Sequence, residues 1–260
     1  MKGTDKEIET AKKRQRRVWN ISELVLKDGG VVSPLLWNGK ENNSLSQVEC
    51  LTISDCKGLE QIPIPMLTAL NHVRMLDLSK NSITEIPEQI SRLSSTIVSL
   101  HLFGNQITHL PSAICSLVLL EELSLSGNKL SSLPEDIIGM KSLKSLSVAS
   151  NLLISVPRLP QSIISLDLSQ NKFQSIPDHL CSLSLIRSLD LSLNQEISAI
   201  PDSQWWSQLT NLKTLSLAFT SISSASQLIS IPSITSVNLR GCRRLPSPPV
   251  FRSLGFIPRD

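Results

Sequence analysis

The segment LEELSLSGNKL, residues 120–130, decides the fold of this chain. Leucines stand at its first, fourth, sixth and last places, and an asparagine, Asn128, stands at its ninth. The alternation Leu123-Ser124-Leu125 has the period of two that places both leucines on one face of a β-strand and the serine on the other. One such strand has nothing against which to bury its leucines, so the pattern predicts a fold only if it recurs.

The same pattern recurs along most of the sequence. Its central leucine position is held by Leu51, Leu76, Leu100, Leu123, Leu146, Leu166, Leu189, Leu215 and Val237, so successive copies lie 25, 24, 23, 23, 20, 23, 26 and 22 residues apart. The ninth position is asparagine in six consecutive copies, at Asn81, Asn105, Asn128, Asn151, Asn171 and Asn194. In the end copies it is Cys56, Thr220 or Cys242. Strands repeated at this spacing stack into one parallel sheet, which predicts a solenoid of about nine repeats.

The second half of each copy predicts how the strands are joined. In Leu110-Pro111 followed by Ile114, a proline precedes apolar residues three apart, which favours one short helical turn opposite the sheet. The 20-residue copy has room only for an extended segment, VPRLP at 156–160. We therefore predict an α/β solenoid with a curved, concave parallel β-sheet and a convex side of short helical turns and extended segments.

The division of the chain follows from where the copies begin and end. We expect a basic N-terminal segment or cap at 1–20, a repeat domain at 21–246 and a tail at 247–260. A capping half-repeat is expected to open the repeat domain, with Leu24 at the central leucine position. Residues 1–17 carry seven basic and three acidic side chains, or +4, so the rest of a chain of net charge +3 sums to −1.

The repeats resemble the leucine-rich repeat superfamily. The 23-residue copies whose second half opens on Leu-Pro or Ile-Pro are similar to intracellular members of the Ras-interacting group. The resemblance implies that the six asparagines turn inward and form a ladder that satisfies buried backbone groups. It also implies an intracellular protein-interaction scaffold, of the kind used in signal transduction, that binds a protein partner on the concave sheet.

A narrower resemblance covers residues 14–63. Arg16-Arg17, ELVL at 23–26 and SPLLW at 33–37 are similar to the start of the animal leucine-rich repeat-containing protein 47 family. In that family a module similar to the tRNA-recognising B3/4 domain follows the repeats. The alternative function is therefore an RNA- or translation-associated protein, whose nucleic-acid contacts would belong to a module that this sequence lacks.

Charge, leader and cysteine patterns point to a reducing compartment. A nearly neutral body is not a nucleic-acid-binding domain, although the basic run at 12–17 fits a nuclear import signal, an acidic-partner contact or the solvated face of a capping helix. The sequence has no apolar leader and no apolar run long enough for a membrane span. Its five cysteines are scattered and odd in number, so we expect free thiols, a cytoplasmic or nuclear location and a monomer.

Catalytic and cofactor motifs are not found in the sequence. Asp167 and Asp190 share one strand position in consecutive repeats, which would bring two carboxylates close enough for glycosidase-like chemistry. Leu-Asp-Leu-Ser is, however, a common sequence for such a strand, and a flat sheet offers no enclosed pocket, so a catalytic role for these aspartates is not favoured. The chain also lacks the His and Cys spacings of metal sites and the glycine-rich loops of nucleotide sites. We therefore expect no enzyme, no metal and no cofactor.

The outward strand positions predict where a partner binds. Most are serine or another small residue. Small residues either let a partner's backbone approach closely or have no role in binding. The predicted partner-binding residues are the larger or charged ones: Met75, Asp77, His101, Phe103, Asp167, Asp190 and Phe219. The pair Trp205-Trp206, in the longest copy, is either packed under its loop or a second binding surface.

Overall fold

The computed structural model describes residues 18–22, 45–56 and 58–246. Ten strands follow chain order in one parallel sheet, so each pairs only with its sequence neighbours. They are β1 (Val18–Ser22), β2 (Cys50–Ser54), β3 (Met75–Asp77), β4 (Ser99–His101), β5 (Glu122–Ser124), β6 (Ser145–Ser147), β7 (Ser165–Asp167), β8 (Ser188–Asp190), β9 (Thr214–Ser216) and β10 (Ser236–Asn238). Strands β2–β10 belong to the nine predicted repeats, and the predicted fold class is confirmed.

The convex side carries one short helical element in most repeats. Two are α-helical, α1 (Ile64–Ala69) and α2 (Ser203–Ser207). The others are 3₁₀ turns, at Leu45–Gln47, Glu88–Leu93, Ser112–Ser116, Glu135–Gly139, Asp178–Ser182 and Ser226–Ser230. A proline in extended conformation immediately precedes α1 and four of these turns, because its fixed φ and missing N–H suit the start of a helix. Between β6 and β7, a segment that is fully described, no helical turn is formed, in agreement with the short 20-residue spacing.

The first described strand, β1, has no consensus leucine. It pairs with β2 in the register Trp19↔Leu51, so Trp19 stands beside the central leucine position of the first full repeat. The alternation of VWNIS is enough for a strand. Leu24, where the capping half-repeat is predicted, lies outside the described residues. Residues 1–17 and 247–260 lie outside the described part of the chain, and the division into segment, repeat domain and tail stays a prediction.

The core runs through the whole solenoid as a stack of thin, similar layers. In the repeat of β5 the four consensus leucines, Leu120, Leu123, Leu125 and Leu130, are all buried. Each layer packs only on the layers before and after it, so the solenoid is stabilised by nearest-neighbour burial rather than by one centre.

The inward asparagines connect these layers through hydrogen bonds. The Asn128 side chain accepts a hydrogen bond from Ile107 N at 3.0 Å and donates to Leu102 O at 3.0 Å and to Leu125 O at 2.9 Å. It thus satisfies backbone groups of its own turn and of the preceding one, which have no strand partner. The other five asparagines bond in the same pattern, at Asn81, Asn105, Asn151, Asn171 and Asn194.

The ladder ends in residues with smaller hydrogen-bonding capacity. Thr220 Oγ1 donates to Leu217 O at 2.7 Å, and Cys242 Sγ donates to the same carbonyl at 3.1 Å. A hydroxyl or thiol cannot donate twice and accept at once in the way an amide does. The end repeats are therefore held by fewer hydrogen bonds than the middle ones.

Candidate functional site

The outward side chains of β2–β10 form a continuous surface, which we call the concave face. In a typical strand the middle residue is buried and its two neighbours are partly exposed. Because the strands are in register, equivalent outward residues of successive repeats lie side by side, about 5 Å apart. The seven predicted partner-binding residues all lie on this face or at its rim, and the structure separates them into two groups.

The first group, the N-terminal patch, consists of Met75, Asp77, His101 and Phe103. Asp77 and His101 lie directly opposite each other on β3 and β4, with Met75 at the start of β3. The Phe103 ring, which is 38% exposed, follows β4, and Lys80 Nζ lies 5.5 Å from its centroid. This cation–π geometry holds an aromatic ring at the surface with a cation above it.

Two polar side-chain atoms in or beside the N-terminal patch are buried without a hydrogen bond. His101 Nε2 on β4 is 3.6 Å from Glu122 Oε2 on β5, a distance that forms an ion pair when the imidazole is protonated but is too long for a good hydrogen bond. Ser79 Oγ, just after β3, is also buried, although the Ser79 N–H donates to Asp77 Oδ1 at 2.9 Å. The Glu122 carboxylate therefore lies at the edge of the patch.

The second group, the C-terminal patch, consists of Asp167, Asp190, Leu193 and Phe219. The two aspartates lie opposite each other on β7 and β8. Leu193 and Phe219 stand at the rim, 40% and 44% exposed. Strands β4 and β7 are three spacings, or about 14 Å, apart along the sheet, so the two patches are separate and could contact one partner only if it spans both.

Serine hydrogen bonds fix the Asp167 carboxylate. Its Oδ1 accepts from Ser169 N at 3.0 Å and Ser169 Oγ at 2.7 Å, and its Oδ2 accepts from Ser147 Oγ at 3.1 Å. Ser147 Oγ in turn lies 2.6 Å from Ser126 Oγ, which extends the network over three strands. Asp190 Oδ1 accepts from Ser192 N at 2.8 Å. Both aspartates therefore stabilise the turn after their strand, which is a structural role for the aspartate of the Leu-Asp-Leu-Ser motif.

The residue before each inward ladder position has a left-handed backbone. Glycine stands there in three repeats, as Gly104, Gly127 and Gly241. In the other repeats a residue with a side chain has the same left-handed backbone; these residues are Asp55, Lys80, Ser150, Gln170, Leu193 and Phe219. Left-handed backbone costs a bulky residue about 1–2 kcal/mol, so Leu193 (φ 60°) and Phe219 (φ 58°) are held there at the expense of stability.

The tryptophan pair lies on the convex side and is buried. Trp205 Nε1 donates to Asp178 O at 2.8 Å, and Trp206 Nε1 donates to Pro201 O at 3.1 Å. The Asp202 side chain caps α2 by accepting from Trp205 N. The two rings meet edge to face, 4.6 Å between centroids. The pair packs under the longest repeat, and it offers no second binding surface.

No disulfide joins any of the five cysteines, all of which lie in the described residues. Burial, and secondarily Asp136, raises the pKa of the Cys115 thiol to about 11, and burial with Asp178 raises the pKa of Cys181. A raised pKa suppresses the thiolate at neutral pH, so neither is an activated nucleophile. In the described residues no group of three or more His, Cys, Asp or Glu side chains is placed to hold a metal, and no helix there is long and apolar enough to cross a membrane.

Sequence reasoning overlooked some contributors to these patches. Lys80 and Glu122 contact predicted residues but were not predicted themselves. The left-handed backbone before each ladder residue could have been predicted from the sequence, because Gly104, Gly127 and Gly241 all precede a ladder residue.

Comparison with known proteins agrees with this architecture. A family model described as a leucine-rich repeat region matches residues 40–240. The fold is similar to a leucine-rich repeat protein of Leptospira interrogans, with 20% identity, a TM-score of 0.56 and coverage of 89% of this chain and 75% of that one. It is also similar to the leucine-rich repeat domain of APL1B, with 16% identity, a TM-score of 0.65 and coverage of 92% and 66%.

A third similar structure is a leucine-rich repeat protein from Bacteroides eggerthii, with 18% identity and a TM-score of 0.60. The match covers 89% of this chain but 44% of that protein. No curated protein matches the sequence. At these identities the structural likeness shows the fold alone, and the resemblances to the Ras-interacting group and to the protein 47 family stay predictions.

Proposed function

Because this chain belongs to the leucine-rich repeat family, we propose that it is an intracellular protein-interaction scaffold that binds a protein partner on its concave face. The observation that carries the proposal is the distribution of large side chains on that face. The inward positions repeat leucine with little change, whereas most outward positions are small; the larger outward residues are those of the N-terminal and C-terminal patches together with Glu122, Asn238 and Arg240. Aromatic and charged anchors among small neighbours are the usual composition of an energetic interface centre.

The N-terminal patch is the principal anchor in this proposal. Phe103 supplies half-exposed apolar area, Met75 lies on the neighbouring strand, and His101 stands opposite Asp77. His101 Nε2 makes no hydrogen bond within the described residues and lies 3.6 Å from Glu122 Oε2, so the patch offers a ring nitrogen and a carboxylate beside its apolar side chains. The five described cysteines form no disulfide with one another, which supports an intracellular location, since extracellular proteins commonly use disulfides.

The test removes the anchor and leaves the solenoid intact. We expect the double substitution His101→Ala with Phe103→Ala to abolish capture of the main protein partner from lysate of the source cells. Each truncation of an anchor removes about 1–4 kcal/mol of binding energy. The melting temperature should change by only a few degrees, because both side chains are partly exposed.

A matched control comes from the same repeat as Phe103. Val118 and Leu119 are 53% and 45% exposed, in the turn that leads from the convex side to β5. Val118→Ala with Leu119→Ala removes similar apolar area away from the concave face and should leave capture unchanged. Recovery of the same partners by the His101/Phe103 variant would place recognition elsewhere.

A further inference from the structure

Two half-exposed apolar side chains at the rim of the concave face stand on neighbouring repeats. Leu193 follows β8 and Phe219 follows β9, and Leu193 N donates at 2.8 Å to the carbonyl oxygen of Ala218, the residue before Phe219. Both occupy the left-handed position that three other repeats give to glycine. The fold therefore tolerates strain to keep a leucine and a phenylalanine together at the surface.

The Phe219 ring rests on a glycine of the last repeat. A Cβ atom added at Gly241 would lie 2.4 Å from Phe219 Cδ1 and 2.5 Å from Cε1. The ring thus lies against the Gly241 backbone, with its other face open enough to leave the residue 44% exposed. Leu193 and Phe219 together form an apolar shelf supported from one side.

The charged strand residues on the β7–β8 side of this shelf are acidic, whereas Arg240 stands on its β10 side, where its carbonyl accepts from Phe219 N at 2.7 Å. Among the outward strand residues of β7–β9 only Asp167 and Asp190 are charged; the others are serine or threonine. Carboxylates directly opposite each other on adjacent strands repel. No salt bridge to either aspartate is found within the residues that the structure describes. A cationic group placed between them would relieve this repulsion.

The two carboxylates differ in their capacity to accept a ligand. Both oxygens of Asp167 already accept hydrogen bonds from serine side chains or backbone, so its charge is fixed in place. Asp190 uses Oδ1 for the Ser192 N–H. Among the described hydrogen bonds none involves Asp190 Oδ2, so this oxygen is the acceptor that a donor from outside can reach.

From this arrangement we propose that the C-terminal patch binds an extended peptide segment of the protein partner in which an arginine or lysine lies near a large apolar residue. The cationic side chain donates to Asp190 Oδ2 between the two carboxylates, and the apolar side chain lies on the shelf of Leu193 and Phe219. Charge complementarity selects this segment over an acidic one. The proposal rests on the proposed protein-binding function of the concave face and names its ligand chemistry.

The experiment begins without assuming a sequence for the partner. A library of random 12-residue peptides displayed on phage is selected against the full chain, and the most enriched peptide is synthesised with a fluorescent label. We expect enrichment of Arg or Lys within a few residues of Leu, Ile, Met or Phe. Changing the basic residue of the selected peptide to Gln should weaken binding by about tenfold, and raising the salt concentration should weaken it further.

Substitutions in the chain locate the peptide. Asp190→Asn keeps the oxygen that accepts from Ser192 N and removes the charge, and Leu193→Asn with Phe219→Asn removes the shelf with a residue that tolerates left-handed backbone. Each variant should weaken the labelled peptide by about tenfold or more. Ser150→Asn, at the equivalent backbone position of the β6 repeat, is the control and should bind like the unmodified chain.

The outcomes separate this proposal from the proposed function. Peptides that lose affinity with His101→Ala/Phe103→Ala but not with Asp190→Asn would overturn the C-terminal ligand and leave the concave-face function standing. Peptides insensitive to every concave-face variant would contradict both. Absence of basic–apolar enrichment would overturn the proposed ligand. Self-association abolished by Asp190→Asn, seen by light scattering, would also overturn it by making a second copy the occupant.

Discussion

Replacing Asn128 by alanine should destabilise the solenoid by an amount that follows from its hydrogen bonds. Leu102 O also accepts from Asn105, and Leu125 O also accepts from Asn151, so both carbonyls keep a partner. The described hydrogen bonds leave Ile107 N with no acceptor once Asn128 Oδ1 is gone. One stranded buried donor costs about 1–3 kcal/mol, and the two lost donations add to it, so we expect about 2–4 kcal/mol.

The same reasoning predicts a larger loss at the C-terminal end of the ladder. Asn194→Ala would strand Phe173 N and also Leu191 O, because the next ladder residue, Thr220, donates to Leu217 O instead. Two groups without partners should cost about 1–2 kcal/mol more than the one left by Asn128→Ala. The alanine effect should therefore grow from the middle of the ladder to its end.

The assay is reversible urea and thermal unfolding followed by far-ultraviolet circular dichroism. For a domain of this size each kcal/mol shifts the melting temperature by about 2–4 °C, so Asn128→Ala should lower it by about 4–16 °C. Asn71→Ala, at an exposed position, is the control and should melt within about a degree of the unmodified chain. Equal melting temperatures for the Asn128 and Asn71 variants would refute the ladder's contribution to stability.

Two further predictions test the packing and the thiols. Gly241→Ala should destabilise the last repeat by about 1–3 kcal/mol in urea unfolding, because φ is +71° there and the Phe219 ring occupies the space that the new Cβ needs. The control is Gly139→Ala, which has no atom within 4 Å of the new Cβ and should be neutral or stabilise by up to about 1 kcal/mol. Equal effects of the two substitutions would contradict the Phe219 contact. In native protein at pH 7 the thiolate fraction of Cys115, whose pKa is about 11, is about a hundredfold below that of a thiol at the ordinary value of 9.0. Because a thiolate of higher pKa is also more nucleophilic, its alkylation should be slower by about ten- to a hundredfold and should accelerate about tenfold per pH unit up to pH 9. All five cysteines should react after denaturation, and native labelling of Cys115 as fast as that of an ordinary thiol would contradict its raised pKa.

The sequence predicted the repeats well because one pattern is written nine times. The consensus leucines and Asn128 have roles that every repeat shares, so an error in one copy is corrected by the others. The first strand had no such support, since Trp19 replaces the consensus leucine and its pairing with Leu51 depends on tertiary context. The candidate site was predicted less completely for the same reason, because the contacts of Lys80 and Glu122 occur once each.

The segment between β6 and β7, which has no helical turn, affects the shape of the arch. Repeats with a helical turn on the outside are wedges, wider at the outer edge than the 4.7–4.9 Å spacing of the strands at the inner edge, and stacked wedges bend. A repeat without that turn is closer to a block with parallel sides, so the arch should straighten there. This block lies between the two patches, and it therefore sets the angle at which the two patches face a partner that spans them.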